Sequence, residues 1–375
     1  MMYSFEKLDN EKKQMLYKRM WDGTEFSSKL FISKKNWTGK ESKDSFFINA
    51  PITTFLMSKL VSAMAVDLAN AFDINDELKR ALFMGKMEQA CSGSGEEVYK
   101  ISTMHSSSLC SLLFFYGVSP ENKLEIELSI GEEKKSYLFT KSVFEFQNKV
   151  MKRGAPSNMD IVLLGSEKCD TSKKVILFLE SKFSEYYVDV SKALEISSSY
   201  LKNAYGKEIY EKLVKESNGK YSKVNGKDPK KHFKLTVAEE EYLSGIKQMI
   251  SHYIGVRNLI TDVLTEKRKV YDDNEVKELV NTNAEVLLGT ILFDKLFEDS
   301  NDREKYYDGY KVNYEYLAKI LNEVSKTSDK GKNLERTQQL TVLEKPLTYA
   351  GVFLSEEGKQ FELDEKVKKY YFGND

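Results

Sequence analysis

Hydrophobic and polar residues alternate along two consecutive stretches in the middle of the chain, residues 123–130 and residues 136–147. A period of two over several residues is typical of half-buried strands. Residues 160–164 and 174–182 are denser apolar runs, as expected of central strands that are covered on both faces. The pattern therefore predicts a sheet built from the middle of the chain.

Helical periodicity is predicted on both sides of these strands. The first ninety residues look helical, with an apolar helix over 52–71 and a second helix over 75–89. Ser106 and the two serines after it are predicted caps for a short apolar helix that ends near Tyr116. The remaining predicted elements are helices over 190–210 and 237–264, a buried strand over 285–293, and helices over 312–324 and 364–371.

This order of elements predicts a mixed α/β fold of the α+β type, with one mixed sheet and helical flanks. A length of 375 residues allows two or three domains. We expect a helical N-terminal region over 1–92, a core over 93–300 and a C-terminal α/β extension over 301–375.

Composition narrows the function classes. The chain has 57 Lys and Arg against 58 Asp and Glu, so its formal charge of −1 excludes a strongly basic nucleic-acid coat protein. A local basic patch is still compatible with this balance. The hydrophobic content of 41% and aromatic content of 12% are too high for a disordered chain.

The cysteines and histidines constrain any metal. Three widely spaced cysteines without a C-x-x-C pair exclude a zinc knuckle and a disulfide framework, and three histidines exclude a His-rich site. A catalytic metal is then expected on carboxylate oxygens, which favours Mg²⁺, with Mn²⁺ as a substitute.

The N-terminus has no apolar signal-peptide core, and the most membrane-like stretch, residues 51–72, contains Lys59 and Asp67. We expect that stretch to be a buried helix, and the protein to be cytoplasmic with no membrane partner.

The sharpest chemical feature lies at the ends of two apolar runs. Asp160 begins one run, and Glu180 and Lys182 end the next with period-two spacing that places both on one face. Charged residues at the margin of buried strands are costly unless they have partners. Two carboxylates hold a divalent cation, and an ammonium group beside them orients a water molecule and stabilises negative charge. The alternative is an ordinary Glu180–Lys182 ion pair at a strand edge.

This pattern resembles the active site of the PD-(D/E)XK nuclease superfamily, in its restriction-endonuclease-like branch. The resemblance covers about residues 105–293 and assigns Asp160 to the first aspartate, Glu180 to the second acid and Lys182 to the lysine. Met159 precedes Asp160 in place of the motif's proline, and the nearest proline is Pro156. The resemblance implies a nuclease core over 93–300, with magnesium held by the two carboxylates.

Two further residues are predicted from the same resemblance. Some members add an upstream acid as a metal ligand, which corresponds here to Glu145; a solvent-facing glutamate is the alternative. Related nucleases carry a glutamine and a tyrosine on the helix after the lysine strand. Gln248, with His252 or Tyr253, resembles that arrangement, and we include Gln248 among the catalytic residues.

Residues 215–234 contain seven lysines against two acids. A flexible basic loop beside a phosphodiesterase site suits phosphate contacts, which position DNA without reading its sequence. The alternative is a solvated loop. The predicted DNA-binding residues are Lys220, Lys223, Lys227, Lys230 and Lys231.

Together these features predict a Mg²⁺-dependent endonuclease that hydrolyses double-stranded DNA to 5′-phosphate products, most like a type II restriction endonuclease. Its expected partners are DNA, a second copy in a homodimer, and a cognate DNA methyltransferase. Two alternatives are kept: a nuclease of the same fold in repair, recombination or phage defence, and a catalytically silent DNA-binding module.

Overall fold

The computed structural model describes residues 31–35, 41–48, 57–91, 101, 106–151, 156–183, 194–197, 200, 204–216, 220–223, 232–236, 246–261, 273–282, 284–295, 307–326, 340–355 and 361–373. The strands in these ranges are β1 (Phe31–Lys35), β2 (Glu41–Ile48), β3 (Leu124–Ile130), β4 (Glu133–Asn148), β5 (Ser157–Glu167), β6 (Lys174–Lys182), β7 (Leu194–Ser197), β8 (Lys220–Lys223), β9 (His232–Thr236), β10 (Glu285–Leu292), β11 (Leu340–Val342) and β12 (Leu347–Thr348). The helices are α1 (Met57–Ala71), α2 (Glu77–Ala90), α3 (Ser107–Phe115), α4 (Ala204–Glu216), α5 (Ile246–Thr261), α6 (Asn274–Asn281), α7 (Gly309–Lys326), α8 (Tyr349–Phe353) and α9 (Glu365–Phe372).

A seven-stranded mixed sheet forms the centre of the fold. Its strand order is β11-β10-β6-β5-β4-β3, with β12 also paired to β10. The four strands from β3 to β6 pair antiparallel, whereas β10 pairs parallel to β6, β11 and β12. This architecture confirms the predicted α+β class with a mixed sheet. Strands from the last forty residues belong to the same sheet as β3 to β6.

The predicted central strands form where the hydrophobic pattern placed them. Apolar residues of β3 are buried at every second position, as expected for a strand with one solvated face. In β6, every residue after Lys174 is buried, because helices cover both faces of this strand. The predicted strand over 285–293 corresponds to β10, which is also buried along most of its length.

Alternation along β6 separates two faces of the sheet. The Ser181 hydroxyl lies 2.8 Å from the Tyr349 hydroxyl of α8, whereas Glu180 contacts His252 of α5. We call these the α8 face and the α5 face. Helix α3 packs on the α8 face, where the ring of Phe114 lies 4.7 Å from that of Tyr349.

Helix α5 lies very close to the end of β4. A Cβ atom at Gly255 would stand only 2.7 Å from Cβ of Asn148, so glycine permits this approach. One turn further along, the Asn258 amide donates to the Lys149 carbonyl at 2.8 Å. These contacts fix the position of α5 over the end of the sheet.

Helices cover two strand edges that no neighbouring strand pairs with. Strand β4 pairs with β3 only as far as Phe139, and helix α2 lies along the next part of its edge. There Lys86 donates to the Ser142 carbonyl, and Gln89 accepts the Phe144 N–H at 3.0 Å. At the other side of the sheet, Asn322 of α7 exchanges two hydrogen bonds with Val342 of β11. Covered edges cannot pair with another chain.

The predicted Ser106 cap is confirmed, and the helix predicted over 75–89 begins two residues later, behind an Asp76 cap that was not predicted. Ser106 accepts the Leu109 N–H at 3.0 Å and begins α3, and Asp76 accepts the Lys79 N–H at 2.8 Å and begins α2. In the described part of the chain, no helix combines the length and apolar character that a membrane crossing needs.

Two helix predictions are wrong in part. Within the first ninety residues, β1 and β2 pair antiparallel, with Phe31 opposite Ile48 and Ile32 opposite Phe47. Aromatic and β-branched residues favour such pairing over a helix. Within the predicted helix over 190–210, β7 is a strand paired to β9, whereas Tyr200 is helical and helix α4 spans Ala204–Glu216.

Candidate active site

The site lies at one end of the central sheet, where β5 begins and β6 is about to end. The β5–β6 ladder stops at the pair Ile161 and Leu179. One residue further, the Asp160 carboxylate accepts the Ser181 N–H at 2.7 Å. Asp160 therefore sits at the junction between the two strands and satisfies a backbone donor that the ladder leaves unpaired.

Glu180 and Lys182 occupy the α5 face of β6, as their period-two spacing predicted. Glu180 is 1% exposed and Lys182 is 8% exposed. The Lys182 ammonium donates to Glu180 Oε1 at 2.6 Å and to Gln248 Oε1 at 2.9 Å. Gln248 of α5 is thus placed beside the predicted lysine, and three of the predicted residues form one contiguous group.

Glu145 also belongs to this group, and its backbone conformation is unusual. It is 4% exposed and has φ of +51°, in the left-handed region that a residue with a side chain rarely adopts. Pairs on either side of it, Phe144 with Ile161 and Phe146 with Met159, place Glu145 opposite Asp160. The left-handed conformation costs about 1–2 kcal/mol, and such strain concentrates at functional sites. A solvent-facing Glu145, the alternative, is excluded.

The carboxylates of Glu180 and Glu145 both repel that of Asp160. Burial and the negative charges of Glu180 and Glu145 raise the pKa of Asp160 well above its usual range, against the opposing effects of Lys182 and the Ser181 N–H. Burial alone would also raise the pKa of Glu180, but Lys182 and His252 outweigh it and lower that pKa. Glu180 is therefore an anion held by two donors, whereas Asp160 carries charge at a cost.

Two residues of the site were not among the predicted catalytic residues. His252 is 1% exposed, and its ring lies 2.6 Å from Glu180 Oε2 and 2.6 Å from the Ser157 hydroxyl. The signal for His252 was its spacing of four from Gln248, which places both on one helix face. Tyr253, the other residue considered with Gln248, bonds instead to Ser325 of α7. Ser157 carried no signal beyond its proximity to Asp160.

The carboxylate oxygens at this site are ligands of the type that a hard divalent cation prefers. Asp160, Glu180 and Glu145 offer carboxylate oxygens, and a cation between them would offset the repulsion that raises the pKa of Asp160. Among the described residues, no three side chains of His, Cys, Asp or Glu are gathered closely enough to hold a metal by themselves. Mg²⁺ commonly binds through one or two carboxylates and keeps several water ligands, so a pair of these acids fits that ion.

The lysine-rich segment is not one continuous loop. Lys220 and Lys223 lie on β8, which pairs antiparallel with β9, and β9 pairs with β7 in a three-stranded sheet. Residues 232–236 alternate polar and apolar side chains, the pattern of a strand. Lys227, Lys230 and Lys231 lie outside the described residues.

Register divides the lysines of this small sheet between its two faces. Lys234 pairs with Ser222, two residues from Lys220, so Lys220 and Lys234 belong to one face. Lys223 pairs with Phe233 and belongs to the other face.

No protein-family model, curated protein or solved structure matches this chain.

Proposed function

We propose that this protein is a metal-dependent endodeoxyribonuclease with a restriction-endonuclease-like core, most like a type II restriction endonuclease. The observation that carries the proposal is the meeting of Asp160, Glu180 and Lys182 at one end of the central sheet. Glu180 and Lys182 are buried and Asp160 is half-buried beside them, so the three charged groups need a shared reason, and strongly perturbed carboxylates mark candidate functional sites.

The arrangement around these residues supports the same fold family. Helix α3 precedes the antiparallel strands and α5 follows them, which is the order that the resemblance to the PD-(D/E)XK superfamily implies. Fold alone does not determine substrate, so the proposal rests on the site.

The residues that would hold magnesium are Asp160 and Glu180, with Glu145 as a third acid. When bound, the ion polarises a phosphoryl oxygen and stabilises the leaving oxygen. Asp160 and Glu145 would supply negative charge for such an ion, which would add to Lys182 in offsetting the repulsion at Asp160.

Lys182 is proposed to position the attacking water and to stabilise charge on the phosphorane-like transition state. Its ammonium is aimed by Glu180 and Gln248, at 2.6 and 2.9 Å, which restricts the motion of a long side chain. In the reaction, the water oxygen forms a bond to phosphorus while the bond to the 3′ oxygen breaks in line with it. The water loses a proton, the leaving oxygen ends as a 3′ hydroxyl, and the product carries a 5′ phosphate.

The decisive experiment is digestion of a defined unmethylated plasmid with magnesium. Discrete bands would support restriction, and a smear would support the nonspecific nuclease of the same fold. The same digestion is run with the Asp160→Asn variant. Glu167→Gln, which removes an acid at the opposite end of β5, is its matched control. The proposal is wrong if DNA stays intact with Mg²⁺ and Mn²⁺, and DNA binding without cleavage would favour the silent module.

DNA contacts are proposed for the lysines of the three-stranded sheet and the segment around it: Lys220, Lys223, Lys227, Lys230 and Lys231. The two faces of this sheet provide a matched comparison. If one face meets phosphates, the Lys220→Gln, Lys234→Gln double variant should lower the slope of log affinity against log salt by about 0.9 per lost contact. Lys223→Gln removes the proposed contact on the other face and should lower that slope by about 0.9 on its own.

These affinities would be measured in Ca²⁺, on a specific duplex and a random duplex, at several salt concentrations. Equal weakening on both duplexes is expected because phosphates carry no direct base information. An unchanged slope in the double variant would mean that this face does not contact DNA.

Restriction of a palindromic site further implies a homodimer and a DNA methyltransferase that protects the same site. A symmetric site is read by two copies related by a twofold axis. Sedimentation of the protein with and without a cognate duplex tests the dimer.

A further inference from the structure

The ring of His252 joins the two strands that carry the candidate catalytic acids. Its Nδ1 lies 2.6 Å from the Ser157 hydroxyl, at the first residue of β5, and its Nε2 lies 2.6 Å from Glu180 Oε2, near the end of β6. His252 and Glu180 are each 1% exposed, and Ser157 is buried. The three side chains therefore form a short hydrogen-bonded chain that is shielded from solvent.

The direction of these hydrogen bonds follows from the chemistry of Glu180. Its other oxygen accepts from the Lys182 ammonium at 2.6 Å, so Glu180 is an anion and can only accept. Nε2 of His252 must then carry a hydrogen. In a neutral ring Nδ1 is consequently an acceptor, and the Ser157 hydroxyl donates to it.

We infer that Ser157 and His252 form a positioning pair that fixes the carboxylate of Glu180 in the orientation that catalysis requires. This inference rests on the proposed nuclease function, in which Glu180 faces the metal and orients Lys182. His252 holds one oxygen and Lys182 holds the other, so the plane of the carboxylate cannot turn. Ser157 acts one step further out, because its hydroxyl bonds to Nδ1 and fixes the orientation of the ring that donates to Glu180.

The pair explains two features that the acids and the lysine leave unexplained. A buried histidine needs a partner for each ring nitrogen, and Ser157 and Glu180 supply both, whereas an apolar side chain at this position would need neither. A serine three residues before Asp160 also becomes functional, since it places the start of β5 in contact with the acid of β6. Outer partners of metal ligands typically contribute 10–100-fold to metal affinity or activity.

The first test observes the ring directly and needs no activity. The chain has three histidines, so ¹⁵N-histidine labelling gives three pairs of ring signals, and the pair that is missing from the His252→Gln spectrum belongs to His252. In the metal-free wild type we expect His252 to carry its hydrogen on Nε2. In Ser157→Ala, Glu180 still requires the hydrogen on Nε2, but Nδ1 loses its hydrogen bond, so we expect the Nδ1 signal to shift. A wild-type ring protonated only on Nδ1, or a signal that Ser157→Ala leaves unchanged, would overturn the inference.

The second test separates positioning from simple stabilisation. His252→Leu removes the donor to Glu180, and we expect kcat for DNA cleavage to fall 10–100-fold with little change in KM. His252→Gln retains an N–H group at the end of the side chain and should recover most of the loss. Tyr253→Phe is the matched control, since it removes a buried hydrogen bond one residue away, to Ser325, and should leave kcat unchanged.

Each outcome has a distinct meaning. A His252→Leu protein that folds and keeps wild-type kcat, or a Gln variant as impaired as Leu, would overturn the positioning role. A wild-type protein that fails to cleave DNA would overturn the proposed function instead. The ring spectra of the wild type and of Ser157→Ala would then decide by themselves whether the serine hydroxyl bonds to the ring that donates to Glu180.

Discussion

Strand β5 carries an acid near each end, and the two acids have opposite surroundings. At the start of the strand, burial and the carboxylates of Glu180 and Glu145 raise the pKa of Asp160. At the far end, a hydrogen bond from Cys169 and the charge of Lys173 lower the pKa of Glu167. Strand β5 therefore holds one acid whose charged form is disfavoured by its neighbours, Asp160, and one whose charged form is favoured by them, Glu167.

The ion pairs at the two ends differ in the same way. At the far end, Lys168 binds Glu125 at 2.7 Å with the lysine side chain 49% exposed. Exposed pairs of this kind contribute about 0–1 kcal/mol. The Lys182–Glu180 pair is almost fully buried, where desolvation of the charges offsets much of their attraction. A small gain in stability is enough to explain the exposed Lys168–Glu125 pair at the far end. It does not explain the buried Lys182–Glu180 pair, and that difference supports a chemical role for the site end.

The largest expected effect is the loss of catalysis in Lys182→Met, which keeps the length of the side chain but removes its charge. Removal of a group that stabilises transition-state charge typically lowers kcat about 10²–10³-fold. Lys168→Met, at the far end, should cleave at the wild-type rate. Single-turnover cleavage with magnesium measures both, and DNA binding in Ca²⁺ should change little. Near-normal cleavage by a folded Lys182→Met protein would remove the contrast between the two ends.

Asp160→Asn should separate activity from stability. Cleavage should fall at least about 10²-fold, because an amide is a poor metal ligand. Unfolding free energy should stay constant or rise by up to about 1 kcal/mol, because a repelled charge is removed while an oxygen still accepts the Ser181 N–H. Glu167→Gln should show the reverse: full cleavage and a slightly lower melting temperature. Thermal unfolding in chelator tests this, and a markedly less stable Asn variant would contradict the electrostatic argument.

The hydrophobic pattern was sufficient to predict the central strands and the position of the acids. Period-two spacing placed Glu180 and Lys182 on one face of β6, and the structure places them there. The Ser106 cap was also predictable, since a serine hydroxyl before an apolar run has one common use. These features depend on neighbours in sequence, and a sequence carries that information directly.

Other features depend on neighbours in space. Glu145 adopts its left-handed backbone inside a run that alternates normally, where nothing local requires it. The contact between Ser157 and His252 joins residues 95 positions apart. Strands β8 and β9 were missed because lysines masked a short alternation. Strand β1 was missed because it is short, and β2 because its first five residues are all polar or charged. Pairing partners supplied by the fold decided those segments.

The pH dependence of stability should also differ between the two acids. A raised pKa in the folded state means that Asp160 contributes stability below its unfolded pKa of about 3.8, and that this contribution is lost as pH rises through the folded value. The wild type should therefore lose stability relative to Asp160→Asn as pH rises from 4.

Glu167 should show the opposite sign. Its lowered pKa contributes stability above its unfolded value of about 4.5, which is lost as pH falls through the folded value. Urea unfolding of the wild type, Asp160→Asn and Glu167→Gln between pH 3 and 8, in chelator, gives both differences. A wild type that gains stability relative to Asp160→Asn as pH rises would contradict the direction of the Asp160 shift.

The smallest expected effect concerns the exposed pair of Glu125 and Lys168. A double-mutant cycle with Glu125→Gln, Lys168→Met and the double variant should give a coupling free energy of about 0.2–1 kcal/mol. The coupling should shrink when salt is raised to 1 M, because the Debye length then falls to about 3 Å. Urea unfolding measures the coupling, and the cleavage rate should not change in any of the three variants. A coupling above about 2 kcal/mol would mean that the far end also holds strongly interacting charges, and burial would then no longer explain why the two ends of β5 differ.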